Sequence, residues 1–252
     1  MNPLNYRAER TRIGGLDCVV VAPAVAGNES PVPISTVGVF CHGFGAGGDD
    51  LVGLAGELIG NSTAEAGIQL IFPAAPLSLA DQGMPGARAW WMLSIQRLIS
   101  AMEAGDYEQI RQEVPPGIDE ARQHLTEVIE IALERNGLSS EQLLLGGFSQ
   151  GAMLAVETAL RGLQQPPAKL CLYSGALICE QFWKPLAGRL KQTQILQSHG
   201  RFDPILPLQT GRWLRDMLEA AECEVDFIEF SGPHTIPEDA IERTAQMLNE
   251  AT

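Results

Sequence analysis

A mostly parallel central sheet with helices on both faces is the fold class this chain predicts, and three observations predict it. Short apolar runs alternate with longer segments of helical period. Most of the short runs are continuous rather than alternating, the pattern of strands covered on both faces. Over 252 residues no linker, internal repeat or low-complexity tract divides the chain. One domain spanning residues 1–252 is therefore expected.

The elements follow in order. Strands are predicted at residues 16–21, 36–41, 69–72, 143–145, 170–173, 195–197 and 224–230. In the helix expected at 118–135, Ile118, Ala121, Leu125, Val128, Ile129 and Ala132 recur at spacings of three and four. Segments 150–160 and 210–221 read the same way, and 237–249 opens with Pro237 in its first turn. Residues 74–89, rich in Pro, Gly and Ala, read as a long ordered loop of the kind that often carries function. Residues 93–114 look helical and polar before Pro115-Pro116-Gly117. Together they predict an insertion over about 74–117, near the site.

Composition removes several function classes. Lys and Arg number 17 against 31 Asp and Glu, a formal net charge of −14. Neutralising phosphates needs a Lys/Arg surface, so nucleic acid is not an expected partner. Stable association with anionic membranes is not expected either. Apolar stretches are short and interrupted, and no signal-type apolar segment follows Arg7, Glu9, Arg10 and Arg12. The five scattered cysteines, Cys18, Cys41, Cys171, Cys179 and Cys223, lack C-x-x-C spacing and read as reduced, mostly buried thiols of a cytoplasmic protein. Dispersed histidines predict no metal site.

Gly147-Phe148-Ser149-Gln150-Gly151 is a G-x-S-x-G pattern between the run Leu143-Leu144-Leu145 and a helical stretch. That is the strand–turn–helix setting of a nucleophile elbow, which would place Ser149 at the carboxyl edge of the sheet. A serine needs a base. His124 lies inside a helix. His42 and His199 precede glycines after strands, where backbone roles fit better. In α/β-hydrolases the order is Ser, acid, His, so His199 and His234 remain. His199 would need Glu157 or Glu180 as its acid, and neither follows a strand. His234, in Ser231-Gly232-Pro233-His234, admits Asp203 from the loop after 195–197. Asp216 and Asp226 compete, but one sits in a helix-like stretch and the other in a strand. Asp203 would orient the imidazole and stabilise the imidazolium.

The loop His42-Gly43-Phe44-Gly45-Ala46-Gly47-Gly48 follows another strand. It has no nearby Lys for a phosphate, and Asp49-Asp50 would repel a pyrophosphate. It suits an oxyanion hole, with the backbone N–H groups of Phe44 and Gln150 as donors.

These residues resemble the phospholipase/carboxylesterase family of α/β-hydrolases, which includes the acyl-protein thioesterases. The matching pieces are His42-Gly43-Phe44-Gly45, Phe72-Pro73-Ala74-Ala75-Pro76, Ala89-Trp90-Trp91, Gly146 to Gly151, His199-Gly200-Arg201-Phe202-Asp203-Pro204 and Gly232-Pro233-His234. The resemblance implies Ser149, Asp203 and His234 as triad, Phe44 and Gln150 as oxyanion donors, and no cofactor. The chain departs from the family where Met92, Leu93 and Ser94 follow Trp91, and in the length of residues 94–114. Trp90, Trp91 and Met92 are candidate substrate contacts, with Met84 and loop 74–89 as an apolar wall. The expected function is a serine carboxylesterase for short- to medium-chain esters. The alternatives are an acyl-protein thioesterase or lysophospholipase for long chains, or a non-catalytic binder on the same fold. A homodimer is compatible with the sequence.

Overall fold

A computed structural model describes residues 6–24, 32–60, 67–93, 105 and 107–250. Strands β1 (Tyr6–Ile13), β2 (Leu16–Pro23), β3 (Thr36–Cys41), β4 (Ile68–Pro73), β7 (Leu143–Phe148), β8 (Lys169–Tyr173), β9 (Gln194–Gly200) and β10 (Val225–Phe230) form one sheet in the order β1-β2-β4-β3-β7-β8-β9-β10. A separate small pair joins β5 (Leu77–Ser78) to β6 (Arg88–Ala89). The β1–β2 and β2–β4 pairs are antiparallel, and every pair from β4 to β10 is parallel. The helices are α1 (Ala55–Ile59), α2 (Tyr107–Gln112), α3 (Ile118–Asn136), α4 (Gln150–Glu157), α5 (Glu180–Trp183), α6 (Leu208–Ala220) and α7 (Glu238–Asn249).

Strand pleating sorts the core into two layers. Val37, Val39, Leu143 and Leu145 face one side, against α3 and α4. Phe40, Leu70, Leu144, Tyr173 and Leu196 face the other, against α1 and α7. Each fully buried aliphatic side chain contributes roughly 2 kcal/mol. On the first side the Glu157 carboxylate is fully buried. It accepts hydrogen bonds from Arg122 of α3, from Arg161 (2.7 Å) and from the indole of Trp183 of α5 (2.6 Å). Paired in this way, the buried charge ties three helices together instead of destabilising the core. Helix α4 then widens into a π turn, Thr158–Gly162.

Each strand predicted from an apolar run is present. The sequence reading missed β1, whose residues between Tyr6 and Ile13 are all exposed. A polar edge strand carries no hydrophobic period, and its charges guard the open edge. The signal lay in the turn: Gly14-Gly15 closes a two-residue hairpin, with Gly14 at φ 55°. Helix α1 was also missed, being too short for a period to show. Of the helix expected within 93–114, residues 94–104 and 106 lie outside the described residues, and among the others only Tyr107–Gln112 is helical, as α2. The loop expected at 74–89 contains the β5–β6 pair.

Candidate active site

The strand order reverses between β3 and β7, because β3 leads on to β4 and β7 to β8. Side chains following these two strands meet at that crevice, where ligands of open α/β sheets bind. Phe44 follows β3 and Ser149 follows β7. Ser149 has φ 55° and ψ −116°, a conformation L-residues rarely adopt. The turn is held from both sides. The Ser149 N–H donates to the carbonyl of Tyr173 (2.8 Å), and its own carbonyl accepts from Ala152 (3.0 Å). The two pattern glycines permit the close approach. A Cβ on Gly147 would lie 2.4 Å from the Gly151 backbone, and one on Gly151 would lie 2.0 Å from the Cys41 carbonyl oxygen. The hydroxyl of Ser149 is not spent on capping α4.

His234 Nδ1 lies 2.6 Å from Asp203 Oδ2. With its proton on Nδ1, the ring keeps Nε2 as a base. The other carboxylate oxygen, Oδ1, accepts the N–H groups of Ile205 and Leu206, each at 2.8 Å. Burial alone would raise the Asp203 carboxyl, but the His234 bond and these backbone donors outweigh it and hold the group below its usual value. The Phe148 ring packs on His234 at 4.7 Å between centroids. The Ser174 hydroxyl donates to the Thr235 carbonyl (3.2 Å), tying the His234 loop to the end of β8. Ser149 and His234 line the same cavity of about 200 Å³.

Among the described residues, no protein acceptor takes the N–H of Phe44 or of Gln150. Both are therefore free for a ligand. The loop carrying Phe44 is held by His42. Its Nε2 accepts the Ala75 N–H (3.0 Å), Nδ1 lies 2.8 Å from the Gly43 carbonyl, and its own carbonyl accepts the Trp90 indole (2.9 Å). Burial pushes the His42 ring below its usual value, so it stays neutral. The Gln150 side chain accepts from the Trp90 N–H (3.0 Å) and donates to the Trp91 carbonyl (2.9 Å). The amide on one oxyanion candidate thus clamps the backbone of the cavity wall.

The structure separates the three residues expected to touch substrate. Trp91 lines the cavity. Trp90 is buried against His42, with ring centroids 5.5 Å apart, and supports the Phe44 loop from behind. Met92 is 44% exposed and lies outside the lining, as does Met84. Trp91 and Leu93 both line the cavity, and Met92 between them points away from it. Wall residues the sequence reading missed include Met153, Ala176, Ile178, Ile205 and Leu206, together with Ile110 and Pro115 from around α2. The signal for Ala176, Ile178, Ile205 and Leu206 was their place just after β8 or β9, at the same edge as Ser149. The ionisable groups among the described lining residues are Asp50, Glu113 and His234. Arg201 faces Glu229 (3.8 Å), and Arg88 donates to the Ala75 carbonyl (2.7 Å).

All five cysteines are free and buried, and burial raises every thiol, so none competes as a nucleophile. Among the described residues no group of three His, Cys, Asp or Glu side chains could hold a metal ion, and no helix is long and apolar enough to cross a membrane.

A family model described as phospholipase/carboxylesterase matches residues 28–251. The chain belongs to the phospholipase/carboxylesterase family. It is a serine hydrolase of ester bonds on an α/β-hydrolase fold. An acyl-protein thioesterase 1 homolog of Dictyostelium discoideum is 27% identical over 80% of this chain and 84% of its own length. The acyl-protein thioesterase 1 of Kluyveromyces lactis is 24% identical over 87% of this chain and 93% of its own. Among solved structures, a carboxylesterase from Mesorhizobium loti superposes with a TM-score of 0.70 at 16% identity, covering 96% of this chain and 98% of that one. At that identity the likeness speaks for the fold.

Proposed function

We propose that the protein is a carboxylesterase that hydrolyses short- to medium-chain esters through an acyl-enzyme on Ser149. Ser149 Oγ attacks the ester carbonyl carbon while His234 Nε2 takes its proton. The tetrahedral oxyanion rests on the N–H groups of Phe44 and Gln150, and its collapse expels the alcohol, protonated by His234. Water, deprotonated by the same ring, then attacks the acyl carbon and releases the acid and Ser149. Asp203 stabilises the imidazolium throughout.

The observation that carries this reading is the cavity itself. Its walls beside Ser149 and His234 are apolar, from Phe44, Trp91, Met153 and Ile178, with no Lys or Arg among the described lining residues. An anionic head group would find no partner there, which favours neutral esters over phospholipids. The thioesterase names of the relatives support a second reading, an acyl-protein thioesterase or lysophospholipase, which would act on long acyl chains and differ in pocket length. We read residues 1–252 as one domain with an insertion over about 74–117, part of which walls the site. The same reading has the protein in the cytoplasm, without cofactor, nucleic-acid or stable membrane partner, and leaves a homodimer open.

The test is a rate series with p-nitrophenyl esters from C2 to C16, with Ser149→Ala alongside. The variant is expected to lose on the order of 10⁶-fold in kcat. A maximum at the short end supports the carboxylesterase, and one at C12–C16 supports the second reading. Full activity in the variant overturns both.

A further inference from the structure

The proposed mechanism leaves one buried imidazole beside the site unused. His199 ends β9, four residues before Asp203, and is fully buried. Its Nε2 lies 2.8 Å from the Leu206 carbonyl and 3.5 Å from Asp203 Oδ2. A carbonyl accepts only from a protonated nitrogen, so Nε2 carries the ring hydrogen. Leu206 answers on the same residue, its N–H reaching Asp203 Oδ1 at 2.8 Å. His199, Leu206 and Asp203 therefore form a closed circuit around the Asp203–Leu206 loop. The ring is also blocked from behind. A Cβ on Gly211 of α6 would lie 2.4 Å from His199 Nδ1, so the helix backbone already sits against it. Gln197 holds that helix in place, its amide donating to the Gly211 carbonyl at 2.8 Å. His199 Nδ1 has no hydrogen-bond partner among the described residues. The hydrogen-bonded Nε2 edge of the ring faces the loop of the catalytic acid, and the Gly175 backbone also acts on the imidazole.

We propose that His199 is a positioning residue for Asp203: its Nε2–H fixes the Leu206 carbonyl and so aims Asp203 Oδ2 at His234. Burial keeps the ring neutral, so it orients the carboxylate without competing for the His234 proton. This inference rests on the reading of Ser149, Asp203 and His234 as the triad. His199 lies outside the cavity lining, so it would act on the reaction through Asp203. Its loss therefore acts on turnover, not on binding.

The experiment measures kcat and KM on p-nitrophenyl butyrate for His199→Leu, His199→Gln and His199→Asn, with Ser149→Ala alongside and Tm recorded for each. Gln places an amide N–H near the position of Nε2, whereas Asn places one near Nδ1. The Leu and Asn variants are expected to lose on the order of 10²-fold in kcat at unchanged KM, the cost of misplacing a catalytic group by about 1 Å. Gln is expected to recover most of the loss. Wild-type kcat in a folded Leu variant overturns the proposal. If the Leu variant does not fold, the Gln/Asn pair decides, and equal kcat in those two overturns it. Activity retained in Ser149→Ala refutes the triad itself, whereas an inactive Ser149→Ala beside an unimpaired His199→Leu refutes the role of His199 alone.

Discussion

Ser149 shows how local geometry and chemistry are joined at one residue. Its φ of 55° is unfavourable for a serine, by about 1–3 kcal/mol. The hydrogen bonds to Tyr173 and Ala152 and the two tight glycines over-determine the turn. Gly151 is the sharpest point, because the atom a side chain would strike is backbone, the Cys41 carbonyl oxygen. Gly151→Ala must move β3 against α4, and β3 leads directly into the Phe44 loop. The expected cost is about 3 kcal/mol, roughly 6–12 °C in Tm, with esterase activity lost alongside. Thermal melting with a parallel assay checks this, and an unchanged Tm contradicts the geometry.

At the scale of elements, the ends of two strands carry buried neutral imidazoles, His42 after β3 and His199 at the end of β9. Burial holds both below their ordinary value. The unfolded chain takes up these protons near pH 6.5, and the native chain only at lower pH. Between those values the unfolded state binds more protons, so stability falls as pH falls from about 6.5. Asp203 adds a separate loss at lower pH. Its depressed carboxyl contributes fully above the ordinary carboxylate value of about 4 and is lost as pH drops through the native one. Tm is expected to decline from pH 7 to pH 5, and less steeply in His199→Gln. Parallel slopes for the two proteins contradict this account. Elements also explain what the sequence could and could not reveal. The parallel strands were legible because burial on both faces leaves continuous apolar runs, as in Leu143-Leu144-Leu145. β1 was hidden because water on its surface removes that constraint, and α1 and α5 are too short to show a period.

For the whole molecule, the site was legible to the extent that it sits in loops following strands. Ser149, Asp203, His234 and Phe44 each follow a strand, and parallel strands bring their carboxyl ends to one edge. The far walls were not legible, because Ile110 and Pro115 reach the cavity from around α2, in a segment whose path depends on tertiary packing. Adjacent tryptophans could not be told apart either, since it is the position of His42 that draws Trp90 behind the loop and leaves Trp91 to line the cavity. The net charge of −14 is spread over a surface on which most arginines already pair with carboxylates, as Arg212 does with Glu229 (2.7 Å). The acidic group this account uses in the chemistry is Asp203.

The central claim is an activated serine at position 149. It is tested most directly with a fluorophosphonate probe, locating the adduct by peptide mass spectrometry and comparing rates in His234→Ala. The account expects one adduct per chain, on Ser149, forming orders of magnitude more slowly without His234. Labelling elsewhere, or labelling of Ser149 that is indifferent to His234, would contradict it.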